Sequence, residues 1–204
     1  LDVPPTLISF AVTTGKLTDV VSPEFKAAGD KLIWLRPELT EEGLPEPQSL
    51  LALFARATEL MRAGKVAAAY TPGYGGAAEA VLKMTLGNRI GFRFEDGVTL
   101  ADLFSYSYGS LLLEVTEEIP DAFVLGETIH SDVLIFEGKS VELAELREVY
   151  EGKLEPVYPC NISQTPREIE APRHTADSWP KARAHIARPR VLIPLFPGTN
   201  CEYD

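Results

Sequence analysis

Cysteine is scarce in this 204-residue chain, with only Cys160 and Cys201, far apart in the sequence. They form no Cys-x-x-Cys pair and read as reduced thiols of a cytoplasmic protein. Positive charge is short too: 19 Lys and Arg stand against 30 Asp and Glu, for a net charge of −11. No basic stripe exists to neutralise phosphates, which argues against nucleic acid and equally against an anionic membrane surface. Solubility is the neutral explanation of the acidity. No apolar run approaches the roughly 20 residues a membrane-crossing helix needs, and no secretory signal is visible. The chain begins at Leu1 without Met, as a piece cut from something longer would.

What is present is the composition of a folded protein of one or two domains, 45% hydrophobic and 24% charged. The stretch from Lys65 to Gly91 organises it. Val66 to Tyr70 is a short apolar run ending in the turn residues Thr71-Pro72-Gly73. Gly75-Gly76 then opens a run with Ala77, Ala80, Val81 and Met84 at helical spacing, closed by Gly87-Asn88. This is strand, glycine-rich turn, helix. Backbone N–H groups at such a turn can cradle a phosphate, which makes Gly73, Gly75 and Gly76 candidate anion-binding residues. The plainer reading is that the glycines only let strand and helix pack closely.

Along the chain, Thr6 to Thr13 reads as a strand, and so does Lys31 to Leu35 after the Gly29-Asp30 turn. Arg36 to Pro47 is a loop. A helix is expected from Gln48 to Ala63, with Leu50, Leu53, Phe54, Ala57, Leu60 and Met61 on one face and Gly64 as its stop. Further strands are expected at Ile90–Phe94, Leu111–Val115, Ala122–Leu125 and Val133–Phe136. Thr99 can cap a short helix over Leu100–Phe104. Ser140 is expected to cap a helix carrying Leu143, Leu146, Val149 and Tyr150, with Gly152 as its end. Strands and helices mix without strict alternation. The expected class is α/β of the α+β type: a mixed, mainly antiparallel sheet with helices packed on it. From Lys153 to Pro189 prolines recur and apolar periodicity vanishes, as in an extended linker. Arg190 to Phe196 reads as a buried strand whose sheet is missing.

Five stretches carry a family resemblance. Residues 188–204 closely resemble the start of the glutaminase domain of phosphoribosylformylglycinamidine synthase. The Pro4-Pro5-Thr6-Leu7-Ile8-Ser9-Phe10-Ala11 stretch, the Gly75-Gly76-Ala77-Ala78-Glu79-Ala80 helix start, Leu103-Phe104-Ser105 and Glu142-Leu143-Ala144-Glu145-Leu146-Arg147 resemble the second AIR-synthase-related C-terminal domain of the large single-chain form. The resemblance implies three parts: residues 1–152 as that domain, 153–187 as a proline-rich linker, and 188–204 as the first strand and loop of a truncated glutaminase domain. It implies a parent enzyme of purine synthesis that converts formylglycinamide ribonucleotide, ATP and glutamine to formylglycinamidine ribonucleotide, ADP, phosphate and glutamate. ATP and Mg²⁺ would serve the full enzyme, with none held tightly here. The implied partners are the other domains of the same polypeptide, namely the ATP-binding domains and the glutaminase domain.

Two departures from the family pattern matter. Catalytic members carry aspartate where Tyr74 stands. The substrate-binding copy has Glu-Ser-Gln where Tyr106-Ser107-Tyr108 stand, so a carboxylate and an amide are replaced by phenols. Both point to the degenerate copy, with Tyr106 and Tyr108 as core or interface aromatics. No catalytic residue is expected in this chain. Cys201 matches the family's early loop and not its nucleophile, since no His or Glu partner follows it. No metal site is expected either. His130 and Asp132 lack further ligands and read as a solvated turn. Glu41-Glu42 and Glu117-Glu118 read as solvated surface. The expected role is scaffolding. The alternative is an autonomous phosphate-binding module.

Overall fold

A computed structural model describes residues 8–159, 187–188 and 190–197 of the chain. The chain divides into two compact units, Leu1–Ile162 and Ser163–Asp204. The first unit is built on seven strands: β1 Lys31–Leu35, β2 Val66–Tyr70, β3 Gly91–Phe94, β4 Leu111–Val115, β5 Val124–Ile129, β6 Val133–Phe136 and β7 Lys139–Glu142. They form one sheet in the order β2-β4-β1-β5-β3-β6-β7. Every pairing is antiparallel except β3 with β6. The mixed, mainly antiparallel sheet expected from the sequence is the one found.

Four α-helices accompany it: α1 Pro47–Arg62, α2 Gly76–Leu86, α3 Leu100–Leu103 and α4 Leu143–Gly152. Pro47 starts α1 where a missing N–H costs nothing, and the Glu46 carboxylate accepts the N–H of Ser49 at 2.6 Å. Thr99 and Asp102 close a reciprocal capping box on α3, as the sequence predicts for Thr99. Successive strand residues point to opposite faces. On β1, Leu32 and Trp34 therefore join the core under α2, with Ala77, Ala80, Val81 and Met84. Ile33 and Leu35 join the core under α1, with Leu53 and Ala57. Burial on both faces explains why β1 reads as an unbroken apolar run.

Several expectations change. Residues 8–13 of the strand expected at Thr6–Thr13 are exposed and not in a strand, and Thr6 and Leu7 lie outside the described residues. Alternation favours a strand only where a ladder partner exists. Ser140 does not cap α4. It sits in β7, and α4 starts after Glu142 with no side-chain cap. The cause is Glu137-Gly138, both at positive φ (48° and 73°), which fold β6 back onto β7 in a two-residue hairpin. The expected strand at Ala122–Leu125 runs instead from Val124 to Ile129. Gly87 ends α2 but keeps a helical φ of −64°; the left-handed residue there is Arg89, at φ 56°.

In the second unit, Arg190–Phe196 is neither strand nor buried: Leu192 is 90% exposed and Phe196 69%. An apolar run is buried only where another surface covers it. Cys160, Cys201, His174, His185 and most of the proline-rich segment lie outside the described residues.

Candidate functional site

The glycine turn joins β2 to α2 and is closed by its own backbone. The N–H of Gly76 donates to the carbonyl of Gly73 at 3.1 Å. Gly76 has a φ of +66°, which suits glycine, and a β-carbon there would lie 2.8 Å from the Ser105 carbonyl oxygen and collide with that of Leu103. The structure therefore brings the turn into direct contact with the Leu103–Ser105 motif. The N–H of Gly75 donates to the Glu79 carboxylate at 2.8 Å. Glu79 also pairs with Lys83 one turn on, at 2.7 Å. The Lys83 bond first, then the Gly75 N–H, hold the Glu79 pKa below its ordinary value. A carboxylate of the protein itself thus sits where an incoming anion would meet the turn.

Glu79 was visible in the sequence as one letter of Gly-Gly-Ala-Ala-Glu. Its role follows from helical geometry: four residues past Gly75, it lies one turn on and can reach back.

Tyr74, Tyr106 and Tyr108, the three tyrosines singled out in the sequence, come together. Tyr74 and Tyr106 have ring centroids 5.8 Å apart, and Tyr106 stacks on Tyr108 at 5.9 Å with the planes 8° apart. They form an exposed ladder, 79%, 61% and 53% accessible in that order. Of the two readings of Tyr106 and Tyr108, the core is excluded. The loop that carries them is anchored from within. Trp34 Nε1–H donates to Ser110 Oγ at 3.1 Å, and Ser110 Oγ–H donates to the Ser107 carbonyl. Both Trp34 and Ser110 are buried.

Beside the turn runs a groove of about 510 Å³, lined mainly by apolar side chains such as Leu82, Phe94, Leu103, Phe104 and Leu134. Its charged lining residues are Glu79 and Lys139. Among the described residues no group of three or more His, Cys, Asp and Glu side chains could hold a metal ion. Asp132, in the His130–Asp132 turn, pairs with Arg89 at 2.5 Å. Among the described residues no helix is long and apolar enough to cross a membrane.

Comparison with solved structures gives the fold its relatives. Phosphoribosylformylglycinamidine synthase II from Thermotoga maritima matches with a TM-score of 0.54 at 15% identity, over 76% of this chain and 30% of that one. PurLQS from the same organism matches with a TM-score of 0.52 at 16% identity, over 76% and 31%. T. maritima PurL complexed with AMPPCP matches with a TM-score of 0.51 at 17% identity, over 76% and 30%. The fold is AIR-synthase-like. At this identity the likeness is one of fold, and the chain spans about 30% of the synthase chains it matches. No family model and no curated protein sequence matches it. In this AIR-synthase-like chain the glycine turn, α3 and the tyrosine ladder are neighbours on one surface, although 30 residues separate Tyr74 from Ser105 in the sequence.

Proposed function

We propose that this chain is a piece of a phosphoribosylformylglycinamidine synthase, in which residues 1–152 form the second AIR-synthase-related C-terminal domain and scaffold the synthetase core. The observation that carries the reading is the exposed cluster of Tyr74, Tyr106 and Tyr108, with Tyr106 stacked on Tyr108 and Tyr74 tilted against Tyr106, where catalytic copies present a carboxylate and an amide. Neighbouring phenols offer a large contact area at small entropic cost, which suits an interface with another protein surface.

In this reading residues 153–187 are a linker and 188–204 begin a glutaminase domain. The partners are the ATP-binding and glutaminase domains of the parent, a cytoplasmic carbon–nitrogen ligase using ATP, Mg²⁺ and glutamine. T. maritima PurL is known in complexes with AMPPCP and with FGAR. The turn of this chain does not suit such phosphates. The N–H groups of Gly75 and Gly76 are already bonded within the chain, and the Glu79 charge repels an anion. The same facts weigh against the alternative, a phosphate-binding module on Gly73, Gly75 and Gly76.

Calorimetric titration of the 204-residue chain with ATP, ADP or the ribonucleotide substrate is the test. Scaffolding gives no saturable heat at micromolar concentrations, and the chain shows no ATP-dependent amidine formation. Saturable micromolar binding, or turnover, overturns the reading.

A further inference from the structure

Arg36 leaves the end of β1 and lays its guanidinium against two rings at once. Its Cζ is 4.6 Å from the ring centroid of Trp34 and 4.6 Å from that of Phe123. The two rings meet edge to face at 6.2 Å. Contacts of this kind fix the plane of a guanidinium and leave its N–H edge free to donate. Among the described residues, no hydrogen bond or ion pair engages that edge. Asp102 feels the Arg36 charge without bonding to it.

Arg36 opens onto a pocket of about 380 Å³ between the exit of β1 and one face of α1, whose lining includes Ser49, Arg56 and Asp121. Arg56 spends Nη2 on the Pro120 carbonyl at 2.8 Å and keeps its other donors. Ser49 Oγ accepts the N–H of Glu38 at 2.8 Å, which leaves its hydroxyl proton to give. Within the pocket lining two guanidinium groups stand against the one Asp121 carboxylate, an excess of one positive charge; Asp102 lies outside the lining. On a chain of net charge −11, that is a local reversal of sign.

We propose that this pocket receives the carboxylate of a Glu or Asp side chain on a partner polypeptide segment, held by Arg36 and Arg56. The planar fork of Arg36 matches a carboxylate in two parallel bonds. A monoanion balances the single spare charge, whereas a phosphate dianion beside Asp121 leaves one charge uncompensated. The Trp34 and Phe123 rings supply an apolar wall for the aliphatic stem of the incoming side chain. The inference does not use the tyrosine rings, although Trp34 both walls this pocket and, through Ser110, anchors the loop that carries Tyr106 and Tyr108.

Side-chain ¹⁵N–¹H spectra of arginine in the full chain test it, with glutamate blocked at both termini as the probe. The Arg36 and Arg56 Nε–H resonances shift saturably in the millimolar range, blocked glutamine moves neither, and inorganic phosphate binds more weakly than glutamate. Arg36→Lys keeps the charge but loses the fork, and weakens binding at least fivefold; Arg36→Gln abolishes it. Unchanged backbone spectra of both variants show that they fold. Four results overturn the proposal: no saturable shift, an equal response to blocked glutamine, phosphate binding tighter than glutamate, or undiminished binding in Arg36→Gln.

Discussion

Gly76 and Leu103 are locked together: the Cα of Gly76 faces the Leu103 carbonyl oxygen with no room for a methyl group between them. Gly76→Ala adds both a positive-φ penalty and a clash with two backbone carbonyls. The expected cost is about 2–4 kcal/mol of stability, from the known costs of such strain and of overpacking. Gly138→Ala is the control. It shares the positive φ, but a β-carbon there meets nothing within 4 Å, so about 1 kcal/mol is expected. Urea denaturation of the two variants separates the packing cost from the backbone cost.

Glu79 is expected to hold the turn closed. Glu79→Ala removes the bond to the Gly75 N–H and the pair with Lys83, and costs about 1 kcal/mol. If the carboxylate fills the place of an anion, inorganic phosphate raises the melting temperature of Glu79→Ala more than that of the parent chain. Equal responses count against that role.

Two carboxylates give stability opposite dependences on pH. Burial, first, pushes the Glu114 pKa above its ordinary 4.5, and the charge of Asp30 adds to it, while the N–H groups of Lys26 and Ala27 and the Lys26 charge pull it down. The folded state therefore holds that proton longer than the unfolded state. Stability falls as pH rises from 4.5 through the folded value. Glu24 is the reverse. Its bond with Lys26, first, lowers its pKa to about 2, so its contribution is present above 4.5 and lost as pH falls toward 2. In denaturation measured from pH 2 to 8, Glu114→Gln flattens the upper limb and Glu24→Gln the lower. A single variant that flattens both limbs contradicts the assignment.

The anchor beneath the tyrosines is expected to matter more than any one ring. Ser110→Ala leaves the buried Trp34 Nε1–H without its acceptor, at about 1–3 kcal/mol. Ring-current shifts among Tyr74, Tyr106 and Tyr108 collapse with it. Tyr106→Ala, on an exposed ring, changes stability by no more than about 0.5 kcal/mol. In the scaffold reading the same change weakens association with the rest of the synthase about tenfold or more, measured by co-purification and titration.

The sequence was legible where a pattern is local. Leu53 and Ala57 mark α1, Thr99 marks α3, and the apolar run at Lys31–Leu35 marks β1, although Pro47 reads as the end of the loop and instead opens α1. It misled where an element needs a distant partner. Residues 8–13 and 190–196 have strand composition, yet a strand also requires a neighbour to share its hydrogen bonds. At Ser140 two local signals competed, a cap and a hairpin, and Glu137-Gly138 decided for the hairpin. Of the candidate site, the glycines could be read as a turn at a helix start. The occupation of the Gly75 N–H by Glu79 follows from the spacing of one helical turn, whereas the meeting of Tyr74 with Tyr106 depends on how α3 packs against α2. No periodicity encodes that.

The strand order also governs when the fold can form. β1 lies near the middle of the sheet, yet its Lys31 bonds to Glu127, 96 positions later. Its other neighbour is β4, at Leu111–Val115. Loop closure over such separations is slow, so the apolar run Leu32–Leu35 waits for both neighbours to arrive. As the chain emerges during synthesis, that run stays uncovered until residues near 127 have followed. This is the interval in which the chain is most open to association with other unfinished chains.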